Sequence, residues 1–209
     1  MSTQPIGIIH LKSPDGSEQE AVLLDRPPAE TKFTFAETQG GPCQVITVDG
    51  KPMWTALRGV EVCGRVQTFG KDSGALLLFL DERARKTCAA IENLVKAQFV
   101  AEKSGAPVGP LYMSAKTLDL TFASALSNDS ALRVNVTPAE LDVFDADRKR
   151  LPADVTLDGW TCDVIVQPRW LWVTKARSCV HWRLRQLRVV SHPTRKELAR
   201  AEPSSDWSL

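Results

Sequence analysis

Tryptophan and arginine alternate through residues 159–190, and this segment contains the side chains best suited to chemistry. It holds four of the six tryptophans of the 209-residue chain. Between Gly159 and Arg200, nine lysines and arginines accompany two acidic residues, a local charge of +7 in a chain whose net charge is +1. Aromatic rings stack on bases, and cations follow the phosphates of a single strand. The pattern therefore predicts a binding surface for a single-stranded polynucleotide.

A predicted hairpin positions these side chains. In its first strand, a period of two places Trp170 and Trp172 on one face and Leu171 and Val173 on the other. A cationic loop at residues 175–178 leads into the second strand. The predicted binding residues are aromatic or basic side chains of this hairpin and of an earlier turn: Trp170, Trp172, Arg169, Lys175, Arg177, Arg183, Arg185, Arg188, Phe69 and Lys71.

The second strand, residues 179–190, is predicted to have two unlike faces. One face, from Val180 to Gln186, is apolar enough to lie against the core. The other face begins basic and becomes apolar, and we expect its arginines to face solvent; it carries His181, Arg183, Arg185, Leu187 and Val189. Buried tryptophans and arginines that protect a sheet edge would give a similar pattern. A face that is merely solvated normally mixes both signs of charge, so the scarcity of acidic residues favours binding.

Outside this hairpin, short strand patterns surround one long predicted helix. Asp81 is predicted to cap the helix, and apolar residues recur at helical spacing from Cys88 to Val100, with Glu92 on the polar side. After the helix, strand patterns resume at residues 116–122, 131–136 and 140–145.

This order of elements predicts the fold class. Regular alternation of strands and helices, which marks a doubly wound sheet, is not present in the sequence. We expect a mainly β fold with one central helix, an OB-fold-like β-barrel with N-terminal elaboration, over residues 1–190. A polar C-terminal tail at 191–209 would follow. A β-sandwich is the alternative, because strand number alone does not separate the two.

Catalytic motifs are not evident in the sequence. It contains no GxSxG, Walker or HExxH pattern. Cys179 and His181 supply two metal ligands at most, with no second pair to complete a site. Asp142, Asp145 and Asp147 are close enough in sequence to hold a divalent metal, but the basic residues beside them favour a solvated loop. We therefore expect no enzymatic activity, no cofactor and no metal.

The cysteines and the apolar runs indicate the compartment. Five cysteines without a CxxC pair predict reduced thiols and an intracellular protein. The longest apolar run, residues 75–80, is far shorter than the ~20 residues that a membrane-spanning helix needs. We therefore expect a soluble protein without a membrane partner.

The C-terminal third also carries a pattern that extends beyond the hairpin. A strand at 132–136, an aspartate-rich turn at 144–147 and strands at 159–167 and 170–172 precede a closing strand. That closing strand contains Trp182, Leu184, Gln186 and Val189. In this order, residues 131–190 resemble the single-stranded DNA-binding proteins of large DNA viruses and some phages, which are OB-fold proteins of replication.

The resemblance implies sequence-independent binding of single-stranded DNA in replication or recombination, with the helix at 81–103 matching a helix of the family. Two features depart from the family. Its last hairpin usually contains glycine, where this chain has Lys-Ala-Arg-Ser at 175–178. Its long acidic tail, which contacts replication partners, corresponds here to a short tail with Glu202, Asp206 and Trp207.

Three hypotheses follow for the function. In the first, the protein binds single-stranded DNA at a viral or cellular replication site. Replication proteins would contact the tail, and the protein would form a homo-oligomer. In the second, the protein is a β-barrel interaction or scaffold module whose basic face binds an acidic protein. In the third, the turn at 142–147 serves a metal-dependent nuclease.

Overall fold

Strands dominate the part of the chain that the structure, a computed structural model, describes. The described residues are 8–12, 18–24, 31–37, 43–68, 74–103, 115–127, 131–152, 155, 157–174 and 176–191. The strands there are β1 (Ile8–Lys12), β2 (Glu18–Leu24), β3 (Phe33–Glu37), β4 (Cys43–Val48), β5 (Met53–Thr68), β6 (Gly74–Phe79), β7 (Ala131–Val136), β8 (Asp142–Phe144), β9 (Arg150–Leu151), β10 (Thr161–Val173) and β11 (Ser178–Ser191). The helices are α1 (Glu82–Lys103), α2 (Ala115–Thr121) and a 3-10 turn, Pro138–Glu140.

Five strands close into a ring. The order is β5-β6-β7-β11-β10, and β10 pairs back onto β5. β7 and β11 are parallel, while the other neighbours in the ring are antiparallel. The closed ring and the single long helix confirm the predicted mainly β, OB-like barrel, and closure distinguishes it from a sandwich of two sheets.

The N-terminal strands extend this barrel. β2 pairs in parallel with the start of β5, and β1 pairs with β2. β4 pairs with the end of β10, and β3 pairs with β4. The division into a domain at 1–190 and a tail at 191–209 stays a prediction, because residues 192–209 lie outside the described residues.

Two bulges determine which side chains of the last hairpin face outward. Arg169 is an extra residue in β10, between the pairs Pro168–Trp182 and Trp170–His181. Arg185 is likewise an extra residue in β11. It lies between Leu184, which pairs with Val166, and Gln186, which pairs with Ile165. Each bulge reverses the alternation of faces along its strand. The inward residues therefore change from even to odd numbers in both strands.

The main helix covers one side of the barrel core. Cys88, Ile91, Val95 and Phe99 are buried at helical spacing, as predicted. Asp81 accepts a hydrogen bond from the backbone N–H of Ala84 at 2.7 Å, which confirms the predicted cap.

The predicted strand at residues 116–122 is wrong, because most of this segment forms α2. Leu118 is buried whereas Leu120 is exposed. Asp119 forms an ion pair with Lys96 of α1. Residues two apart share one face of a strand but not of a helix, so the different burial of the two leucines agrees with a helical segment. Within the described ranges, the structure has no helix with the length and hydropathy of a membrane span.

Candidate nucleic-acid interface

A groove opens where β10 ends and β11 begins. Its cavity measures about 370 Å³. Side chains from β7, β10, β11 and the loop between the last two line it, together with the segment after α2. We call it the hairpin groove and define it by Ser124, Arg133, Asn135, Trp172, Arg177 and His181.

Trp172 forms one wall of the hairpin groove. The bulge at Arg169 directs Leu171 and Val173 into the core and leaves the indole of Trp172 37% exposed. Its ring centroid lies 5.6 Å from that of His181, with the ring planes tilted by 31°. The predicted division of faces in this strand is confirmed, and the ring offers a flat apolar surface to a ligand.

Trp170 lies on the same face of β10 and is half-buried. The guanidinium carbon of Arg169 lies 4.3 Å from its ring centroid. This is a cation–π contact, which orders both side chains. The structure therefore brings Arg169 and Trp170 together beside Trp172, although neither lines the groove itself.

Two arginines from different elements make the hairpin groove electropositive. Arg133 of β7 and Arg177 of the loop are both exposed at its rim. Burial lowers the pKa of His181, and the positive charges of Arg133 and Arg177 lower it further. Among the described residues that line the groove, none is acidic.

The imidazole of His181 is held in one orientation by its neighbours. Asn135 Nδ2 lies 3.3 Å from His181 Nδ1, so the neutral ring accepts this hydrogen bond and carries its own proton on Nε2. With Trp172 against its face, the imidazole is fixed at the floor of the groove. Arg133 and Asn135 were not predicted, since β7 becomes part of this site only through its parallel pairing with β11.

A buried carboxylate supports the groove from below. Glu92 of α1 accepts hydrogen bonds from Trp182 Nε1 at 2.9 Å and from the backbone N–H of Ala125 at 3.1 Å. The hydroxyl of Ser124 also donates to it. Burial raises the pKa of Glu92, while these hydrogen bonds oppose the rise. The predicted polar position of Glu92 is therefore wrong, and Trp182 is a core residue.

Two of the predicted phosphate-binding cations are buried. Arg183 and Arg185 are 7% and 8% exposed. Both contact Oε2 of Glu140, with Arg185 Nη1 at 2.8 Å. The expectation that they face solvent is wrong, because the bulge at Arg185 and the 3-10 turn that carries Glu140 enclose this part of β11.

The remaining predicted residues lie either in the hairpin or outside the described residues. Arg188 Nη2 forms an ion pair with Asp163 Oδ2 at 2.6 Å, away from the hairpin groove. Lys175, Phe69 and Lys71 lie outside the described residues. Of the ten predicted side chains, Trp172 and Arg177 line the groove, and Arg169 and Trp170 adjoin it.

The acidic turn is stabilised by its own hydrogen bonds. Asp145 Oδ1 accepts from the backbone N–H of Lys149 at 2.8 Å, and Asp142 pairs with Arg150 at 2.7 Å. Within the described ranges, no group of three or more His, Cys, Asp or Glu residues is placed to hold a metal. The carboxylates of Asp142 and Asp145 thus each have a partner within the protein.

Comparison with known proteins gave matches among solved structures. No protein-family model matches the sequence, and no curated protein matches it. The single-stranded DNA-binding protein from bacteriophage Enc34 is similar, with 13% identity and a TM-score of 0.45 over 78% of this chain and 92% of that chain. Its C-terminal truncation has 12% identity and a TM-score of 0.44, covering 78% and 97% of the two chains. Its complex with single-stranded DNA has 13% identity and a TM-score of 0.44, covering 79% and 98%.

Proposed function

We propose that this protein binds single-stranded DNA at the hairpin groove, without sequence preference and without catalysis, in DNA replication or recombination. One observation carries the proposal. A partly exposed tryptophan stands in an open cavity whose described lining contains two arginines and no acidic residue. Stacking surfaces combined with cations are what binding of a single strand requires.

The stacking role falls to Trp172. Its exposed face adjoins a cavity of about 370 Å³, and His181 supports the ring at a centroid distance of 5.6 Å. A base placed against Trp172 meets a ring that is already oriented, so little side-chain entropy is lost on binding. Every base has a π-face, which makes this contact tolerant of sequence.

The electrostatic role falls to Arg133 and Arg177. Both line the groove and are exposed at its rim, and their positive charges contribute to the lowered pKa of His181. Oligonucleotides bind OB-fold barrels on the strand faces and adjoining loops, and Arg177 lies in the loop that joins β10 to β11. Phosphates on either side of a stacked base would meet one guanidinium each.

The test is a titration of labelled oligo-dT by fluorescence anisotropy at two salt concentrations, alongside duplex DNA, single-stranded RNA and heparin. We expect tight binding of oligo-dT and a fall of log K with log salt of about 0.7 per phosphate contact. Quenching of tryptophan fluorescence should accompany binding. Without quenching by oligo-dT at low salt, the proposal is wrong.

The same titration tests the alternative of a basic module for an acidic protein. A protein that recognises its ligand by charge alone would bind heparin and oligo-dT of equal charge with similar affinity. Tryptophan quenching would then be the same for ligands with and without bases. Docking of replication proteins at residues 191–209, self-association and an intracellular replication site stay predictions.

A further inference from the structure

Two buried guanidinium groups of β11 share one carboxylate oxygen. We call Arg183 and Arg185 the arginine pair. Arg183 Nη2 and Arg185 Nη1 both contact Oε2 of Glu140. Of the described residues, Glu140 alone contacts the pair with a carboxylate, since neighbouring Asp142 pairs with Arg150. Two positive charges thus share one contacting carboxylate, while the charge of Asp142 acts on Arg185 from farther away.

Arg183 has buried donors that its neighbours leave without a hydrogen bond. Each guanidinium has five N–H donors. Arg183 Nε and Nη2 are buried and form no hydrogen bond, although Nη2 is in ion-pair contact with Glu140. The buried Nε1 of Trp54, whose ring lies 5.3 Å from the guanidinium carbon of Arg185, also has no hydrogen-bond partner. Buried charged donors left unpaired are costly, so the cluster favours an additional acceptor.

Glu140 is the accessible part of this cluster. Its side chain is 35% exposed, against 9% and 10% for the side chains of Arg183 and Arg185. It lies at the end of the 3-10 turn Pro138–Glu140 rather than on a strand of the barrel. Rotation of this one side chain toward solvent would therefore release the arginine pair from its carboxylate without breaking a strand pairing.

The arginine pair also continues the hairpin groove. Arg183 is the register partner of Asn135, which lines the groove and hydrogen-bonds to His181. Alternate residues of a strand are about 6.6 Å apart, so Arg183 follows His181 along the outer face of β11. The pair therefore lies next to the groove along β11, although neither arginine lines it.

We propose that the arginine pair is an oxyanion site, which the carboxylate of Glu140 occupies in the free protein and a phosphate group occupies when Glu140 turns outward. A phosphate offers several oxygens to two planar guanidinium forks, where Glu140 offers one shared oxygen. The contacts of the arginine pair support the oxyanion site without any assumption about DNA. Its assignment to a phosphate of the DNA backbone rests on the proposed function.

The first experiment uses inorganic phosphate and no DNA. Glu140→Gln removes the competing charge and retains the size of the side chain. We expect phosphate, compared with chloride at equal ionic strength, to raise the melting temperature of this variant by about 3–6 °C at a tenfold excess over Kd. The wild type should respond less. Glu82→Gln is the matched control, because it removes one charge from an exposed pair with Arg85 and Lys86.

The second experiment measures the salt dependence of oligo-dT binding in the same proteins. One added phosphate contact should steepen the slope of Glu140→Gln by about 0.7, with no such change in Glu82→Gln. A response to phosphate with an unchanged slope would retain the oxyanion site and reject a backbone phosphate as its ligand. No response in either experiment overturns the proposal and leaves Glu140 as a structural counterion.

Two further outcomes are also decisive. If no variant binds oligo-dT, the proposed function is wrong, while the phosphate experiment still decides the oxyanion site. If Glu140→Gln does not fold, Glu140→Asp withdraws the carboxylate by one methylene and retains the charge. A folded Glu140→Asp protein that responds to phosphate no more than the wild type contradicts the proposal.

Discussion

Two substitutions of Trp172 separate base stacking from packing. Trp172→Leu keeps an apolar side chain at this position and removes the aromatic face, whereas Trp172→Phe keeps a smaller aromatic face. Since the indole is 37% exposed and packs against His181, both changes should cost only about 1–2 kcal/mol of folding free energy. Both proteins should therefore remain folded, as circular dichroism and thermal melting would show.

The expected change in affinity follows from the loss of one stacked base. Stacking contributes about 1–3 kcal/mol per base, which corresponds to about a 5- to 150-fold loss of oligo-dT affinity for Trp172→Leu. Trp172→Phe should lose less than about fivefold. The slope against salt should stay the same in both, because no cation is removed.

Fluorescence anisotropy of labelled oligo-dT is the assay, since it does not depend on the tryptophan that is replaced. Val190→Ala serves as the control, because Val190 is an exposed apolar residue near the opposite end of β11. An affinity of folded Trp172→Leu within twofold of the wild type would refute the stacking role. Equal losses in the leucine and phenylalanine variants would show that shape, rather than the aromatic face, is what matters.

Three other predictions concern charge and burial. Arg177→Ala should reduce the salt slope of oligo-dT binding by about 0.7, whereas Arg188→Ala should change it little, because Arg188 is paired with Asp163 at 2.6 Å. Folding lowers the pKa of His181 below its ordinary 6.5, so thermal stability should be complete above about pH 6.5 and decline as the pH falls toward the lowered pKa. Melting curves of His181→Gln should lack this decline, and oligo-dT affinity of the wild type should rise over the same range as His181 gains a proton. Glu92→Ala leaves the backbone N–H of Ala125 and the indole N–H of Trp182 without their acceptor. The free energy of unfolding measured in urea should fall by about 2–4 kcal/mol. A fall below about 1 kcal/mol would contradict the supporting role of Glu92.

The elements that sequence predicts well here are those set by local patterns. Asp81 and the spaced apolar residues after it define the start and the buried face of α1. The alternation from Trp170 to Val173 correctly separates the two tryptophans from the two buried aliphatic residues because no bulge interrupts that short stretch. Beyond Leu184 the same rule fails, since a bulge at Arg185 adds one residue and reverses the faces. Bulges depend on pairing with the neighbouring strand, which a single strand's sequence does not report.

The burial of ionisable groups also differs from what the sequence pattern predicts, and the reason is the same at each position. Glu92 lies on a helix with many charged neighbours, which predicts a solvated side chain. Its hydrogen-bond donors are Ser124, Ala125 and Trp182, up to 90 residues away. Glu140 likewise contacts Arg185 from 45 residues away. Such partners meet only after the barrel closes, so composition and periodicity contain no signal for them.

The count of cations in a sequence and the charge that a ligand meets are therefore different quantities, and salt dependence distinguishes them. Counting arginines in the last hairpin predicts many phosphate contacts. In the structure, Arg183 and Arg185 face Glu140, so the described cations that line the hairpin groove are Arg133 and Arg177. Two contacts give a slope of about −1.4 for the wild type. A measured slope near −2 or steeper requires further cations. Loss of the excess in Glu140→Asp would contradict the arginine pair as its source. A further increase of one contact in Glu140→Gln would contradict it too, since a pair that already binds a phosphate in the wild type has no such contact to add.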